Sequence, residues 1–185
     1  MWNRLGNLFI GAAILGTWAV SVVGCSHGGQ VKTMAYASMP DHRTYEFEFP
    51  IVWKAIENAV RGIKIDDRSP GEVSVQEMRK LAKRSLRTDW IFTQSNDKYR
   101  EYQVNSFKQK RYLPSRVKYQ ISAEKVMGGT EVRVGTTEEI DPLKTDGTPD
   151  GYVQVEADPA RSHDMLEKIN AALLSAPAEL APQTD

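Results

Sequence analysis

Residues 117–123 alternate strictly, with Val117, Tyr119, Ile121 and Ala123 interleaved with Lys118, Gln120 and Ser122. A period of two belongs to a strand with one face against a core. Gly128-Gly129 then turns the chain toward an antiparallel partner carrying Val132 and Val134. The same period predicts a strand at 44–49, with Tyr45, Phe47 and Phe49 on one side, and a hairpin over 63–77 turning at DDRSPG. It predicts further strands around Trp90 and Phe92, at 99–107 with Tyr102 and Val104 on one face, and at 151–157. SND at 95–97 reads as a turn, KQKRYLP at 108–114 as a connection, and DPLKTDGTPDG at 141–151 as a turn-rich loop.

Two stretches switch to the helical period. After Pro50, well suited to a first helical turn, Val52, Trp53, Ile56, Ala59 and Val60 fall on one face, and Gly62 is a natural stop. Asp158-Pro159 supplies an N-cap and a first helical residue for a helix burying Ser162, Met165, Leu166, Ile169, Ala172 and Leu173. MRKLAKRSLR at 78–87 fits a short helix or a long loop, because its like charges at i,i+4 oppose a helix slightly. The order β-α-ββ-(basic segment)-ββββ-β-α predicts an α+β fold, an antiparallel sheet packed on an N-terminal and a C-terminal helix.

The first residues do not belong to this pattern. Arg4 is followed by an uncharged apolar run from Leu5 to Gly24, and small residues gather before Cys25. A basic start, an apolar stretch and a small-residue end are the parts of a signal peptide. A transmembrane helix is the alternative, since the run approaches the roughly 20 residues that a span needs. Glycines and Asn7 interrupt it, however, and no charged stop-transfer cluster follows. The expected organisation is a leader at 1–24, a lipidated N-terminus and flexible tether at 25–42, one domain at 43–175 and a disordered tail at 176–185.

Charge and cysteine content narrow the function classes. Lys and Arg number 24, as do Asp and Glu, and loss of Arg4 with the leader leaves 23 against 24. That balance suggests no nucleic-acid partner. A single cysteine excludes an internal disulfide framework and a cysteine-based zinc site.

Val22-Val23-Gly24-Cys25 resembles the lipobox of bacterial lipoproteins. The resemblance implies that the Cys25 thiol, the side chain nucleophilic enough for the transfer, takes a diacylglycerol thioether. Cleavage before Cys25 then frees an amino group for acylation, and several chains anchor where one binds reversibly. Ser26 stands where many inner-membrane lipoproteins carry Asp, which implies the periplasmic face of the outer membrane.

Phe47, Val52-Trp53, Ala55-Ile56, Ala59-Val60 and Ile63-Lys64-Ile65, followed by a run of strands, resemble the helix-grip domain of the accessory C lipoprotein of the β-barrel assembly machinery. That family has a long extended N-terminal segment and two grip domains, where this chain has a short tether and one domain. The resemblance implies a non-enzymatic accessory or scaffold role among envelope proteins. A grip fold can alternatively hold a small apolar or lipid ligand between sheet and helix.

Signatures of chemistry are sparse. The histidines are His27, His42 and His163, and the sequence contains no HExxH, GxSxG or phosphate-loop pattern. Asp66-Asp67 and Glu138-Glu139-Asp141 read as solvated charges at turns and strand ends. Asp146 and Asp150 lack the spacing of a calcium loop, so neither a metal nor another cofactor is expected. The strongest candidate surface is the basic run Arg79, Lys80, Lys83, Arg84 and Arg87, suited to anionic lipid headgroups or an acidic partner. Trp53 and Trp90 read as core residues.

Overall fold

The computed structural model describes residues 30–35 and 37–175. The leader, Cys25, His27 and the 176–185 tail lie outside the described residues.

The fold is α+β, a curled eight-stranded antiparallel sheet with helices on its inner face. Its axis is β6 (Phe107–Val126), joined by the Gly128-Gly129 turn to β7 (Gly129–Ile140). One edge of β6 carries two partners in succession: β5 (Ile91–Val104) along its first half and β4 (Lys83–Thr88) along its second. β4 in turn pairs β3 (Ile65–Ser69). The far edge of β7 is likewise shared, by β2 (His42–Tyr45) and β8 (Val153–Val155).

α1 (Phe49–Ala59) and α3 (Pro159–Ser175) pack on each other and on the sheet. The helical apolar faces fall where the period places them: Phe49, Val52, Trp53, Ala55 and Ile56 from α1 meet Met165, Leu166, Ile169 and Leu173 from α3. Val117, Tyr119, Ile121, Ala123, Val132 and Val134 supply the sheet side of the same cluster. Each large side chain so buried contributes about 1.5–3 kcal/mol. Leu113, Ile140 and Leu143 form a smaller cluster under the 141–152 loop, with Val31 packed against it.

Several expectations change. The strand expected at 44–49 stops at Tyr45, because Glu48 already caps α1 and Phe49 opens it. Phe47 is therefore exposed while Tyr45 and Phe49 are buried. The hairpin expected over 63–77 does not form, and β3 pairs β4 instead. Residues Val75–Lys80 make a short helix, α2, started by a capping box between Ser74 and Glu77. The basic segment is thus neither one helix nor one loop: its first residues close α2 and its last ones build β4.

SND is no turn but part of a bulge inside β5, where the register with β6 shifts between Gln94 and Tyr99. KQKRYLP is no connection but the start of β6. The stretch expected to be a free tether contributes β1 (Lys32–Thr33), paired to Tyr99 and Lys98 of β5.

Candidate functional site

The five residues of the predicted basic surface do not share a face. On β4 the side chains alternate, so Arg84, Leu86 and Thr88 turn inward and are buried while Lys83 and Arg87 point out. Arg84 is only 3% exposed, lies over the Trp53 ring, and donates to the carbonyls of Pro70 and Gly71. Burial lowers its pKa from the usual guanidinium value, with Glu57 opposing that shift. Lys83 is paired with Glu124 at 2.9 Å and Arg87 with Asp66 at 3.0 Å. That bond holds the Asp66 carboxyl below its ordinary value. Of the five, Arg79 and Lys80, in the last turn of α2, are exposed without an ion pair among the described residues.

Asp66 and Asp67 are exposed on β3, as read, but Glu138, Glu139 and Asp141 are not solvated. Glu138 is fully buried and Asp141 nearly so. Asp141 accepts the backbone N–H groups of Leu143 and Asp150, tying down the loop between β7 and β8. Glu139 is paired with Arg116 at 2.6 Å. Among the described residues no group of three or more His, Cys, Asp or Glu side chains is placed to hold a metal ion.

Glu138 belongs to a buried ionic network that the sequence did not announce. The β5 bulge turns Ser95, Asp97 and Lys98 inward. Lys98 Nζ donates to Asp97 at 2.5 Å and lies 3.8 Å from Glu138. Arg161, at the start of α3, donates to the Gln94 carbonyl at 2.7 Å and to Glu138 at 3.3 Å. Asp158 gives its backbone N–H to Glu138 and caps α3 through Ala160 N. The network thus joins the bulge, β7 and the first turn of α3, and fixes where α3 enters the core. Beside it lies an open hollow of about 500 Å³ bordered by Tyr119, Arg161, Asp164, Glu167 and Lys168, with Met165 and Ala171. Burial raises the Tyr119 phenol above its ordinary pKa, and Arg161 partly offsets the shift.

The other unanticipated feature is an arm. β1 leaves β5 after Tyr99, and β7 reaches only to Ser115 of β6. From Arg100 to Arg111 the two strands therefore form a ribbon with no other sheet partner among the described residues. Its tip is Asn105-Ser106, both at positive φ, as a two-residue hairpin turn requires. Cross-strand register assigns the faces. The inner face carries Arg100 opposite Arg111, Tyr102 opposite Gln109 and Val104 opposite Phe107. The outer face carries Tyr99 opposite Tyr112, Glu101 opposite Lys110 and Gln103 opposite Lys108. Tyr99 and Tyr112 pack at 5.9 Å and Lys110 lies over Tyr99, which stiffens the base.

Trp90 is half-buried and belongs to this outer face, not to the core. Arg116 lies between it and Tyr152, 4.5 Å from each ring, with Lys118 at 4.9 Å from Trp90. Trp53 is a core residue, as its helical position implies. His42 contacts Asp41 on the surface, and His163 sits on α3 with Nδ1 buried and unpartnered.

No protein-family model matches the chain, and no curated protein sequence matches it.

Proposed function

We propose that this chain is a lipid-anchored protein of the bacterial envelope, held through Cys25 on the periplasmic face of the outer membrane. There it acts as a non-enzymatic accessory or scaffold of an envelope assembly complex. The observation that carries the reading is the separation of a filled interior from a decorated exterior. α1 and α3 occupy the inner face of the sheet with fully buried apolar side chains. Unsatisfied apolar and cationic groups gather instead on the arm, where another surface can reach them. An antiparallel sheet closing on a C-terminal helix also supports the finer helix-grip assignment. The hollow beside α3 is open and rimmed by charge, so it does not favour the alternative of a small apolar ligand held between sheet and helix.

Metabolic labelling with a fatty acid tests the anchor. Label should enter the full chain and be lost in Cys25→Ser, and the variant should leave the membrane fraction. Retention of both label and sedimentation in Cys25→Ser would sink the lipobox reading. Cross-linking of the native protein in membranes tests the scaffold role, and the absence of any reproducible envelope partner counts against it.

A further inference from the structure

The arm has the chemistry of a membrane-contacting element. Tyr102, Val104 and Phe107 are 47%, 48% and 72% exposed, and all three lie on its inner face at the tip. Behind them Arg100 and Arg111 stand directly opposite each other, an arrangement that is unfavourable for like charges unless an anion joins them. Neither forms an ion pair with a described residue, and Arg100 Nε is buried with no hydrogen-bond partner. The outer face adds Lys108 and Lys110, while the one acid of the ribbon, Glu101, is held by Lys32 at 2.7 Å. An isolated two-stranded ribbon is marginal in water, and an amphipathic surface gives this one something to rest on.

We propose that the β5–β6 arm docks on an anionic phospholipid surface. The apolar tip enters the headgroup–acyl boundary, and Arg100 and Arg111 bind the phosphates behind it. The dimensions agree. Four residues of strand separate Arg100 from Val104, about 13 Å at the ordinary rise. A tip seated about 5–10 Å into the boundary therefore leaves the guanidinium groups level with the headgroups.

The direction of the chain points the same way, and this step rests on the Cys25 anchor proposed above. β1 runs antiparallel to β5, with Lys32 opposite Tyr99 and Thr33 opposite Lys98. Followed backward from Lys32, the chain therefore heads toward the arm's tip. The seven peptide units between Cys25 and Lys32 reach at most about 25 Å. That reach is long enough for an acyl anchor at Cys25 to enter the same surface as the tip at Val104–Phe107.

The test places a reporter at the tip of the full chain reconstituted in vesicles. In Phe107→Trp, brominated lipids should quench more emission than in the parent chain when phosphatidylglycerol is mixed into phosphatidylcholine. The increment should vanish in pure phosphatidylcholine and when Arg100→Glu and Arg111→Glu are added. Arg79→Glu with Lys80→Glu on α2 should leave it intact, which separates the arm from general basicity. An unchanged thermal midpoint for the arm variants shows that they fold. Absence of quenching in both vesicle types overturns the proposal, as does quenching indifferent to the arginine changes. Loss of envelope cross-links in the arm variants without any quenching would assign the arm to a protein partner and also overturn it. Fatty-acid labelling at Cys25 is read separately, so failure of the anchor and failure of the arm cannot be confused.

Discussion

The Arg84 guanidinium lies 4.6 Å from the centroid of the Trp53 ring, joining β4 to α1 across the edge of the core. Trp53 Nε1 donates to Glu57 at 3.0 Å, and Glu57 stands 3.9 Å from Arg84, so ring, carboxylate and guanidinium form one unit. A stacked, desolvated cation–π contact is worth about 2 kcal/mol, and the two carbonyl bonds of Arg84 add to it. Arg84→Ala should destabilise the fold by about 2–4 kcal/mol. Arg84→Lys should recover less than half of that, because an ammonium has neither the planar stack nor the fork. Urea denaturation of the three chains decides. A loss under about 0.5 kcal/mol for Arg84→Ala, the range of ordinary surface changes, would return Arg84 to the solvated surface.

Gly129 presents a different constraint. Its φ is +151°, and a Cβ there would stand 2.1 Å from the Tyr45 carbonyl oxygen, where β2 crosses the start of β7. The atoms met are all backbone, from Tyr45 and Glu46, which leaves little room to relax. Gly129→Ala should cost about 2–3 kcal/mol and lower the thermal midpoint. Gly128→Ala meets no atom within 4 Å at φ +93° and should cost less. Equal midpoints for the two variants would contradict the close approach of β2.

The parts of this fold that were legible in the sequence are those with a buried face. Alternation at 117–123 and helical spacing at Val52–Val60 and Met165–Leu173 report burial directly, and those elements form where expected. The first strand of the arm was read as such, but its second was misread for the same reason in reverse: KQKRYLP has no core beneath most of it, so no period marks it as strand. Val73 and Val75 mimicked an alternating strand, although Ser74 and Glu77, three residues apart, were a legible capping box. Lys98 and Glu138 were illegible on other grounds. A charged side chain counts as surface until a partner is known, and theirs are brought from distant positions by the bulge and by α3.

Acid should weaken that capping box. Glu77 accepts from the Ser74 backbone N–H and hydroxyl, and these bonds hold its pKa below the ordinary value of 4.5. A carboxyl whose pKa is depressed by folding contributes stability above its unfolded pKa, and loses it as pH falls through the folded one. The difference in thermal midpoint between the parent chain and Glu77→Gln should therefore be present at neutral pH and shrink below about pH 4. A difference that grows toward acid would have the wrong sign and would remove Glu77 from that role.

The buried network makes the strongest demand on stability, because its charges hold one another in place. In Lys98→Met, Asp97 and Glu138 lose the ammonium between them and Arg161 alone opposes Glu138. Removing one member of a buried ion pair typically costs about 3–5 kcal/mol, since the charge left behind stays desolvated. Glu138→Gln should cost less, because Lys98 keeps Asp97 and the amide oxygen can still accept from Asp158 N, while Arg161 loses its one carboxylate partner among the described residues. The double variant Lys98→Met/Glu138→Gln leaves Asp97 without the ammonium but relieves the charge imbalance at position 138. It should be more stable than the sum of the single losses by about 1–3 kcal/mol. Denaturant midpoints of the four chains give that coupling energy directly. Additive losses would mean that Lys98 and Glu138 act independently despite their 3.8 Å separation.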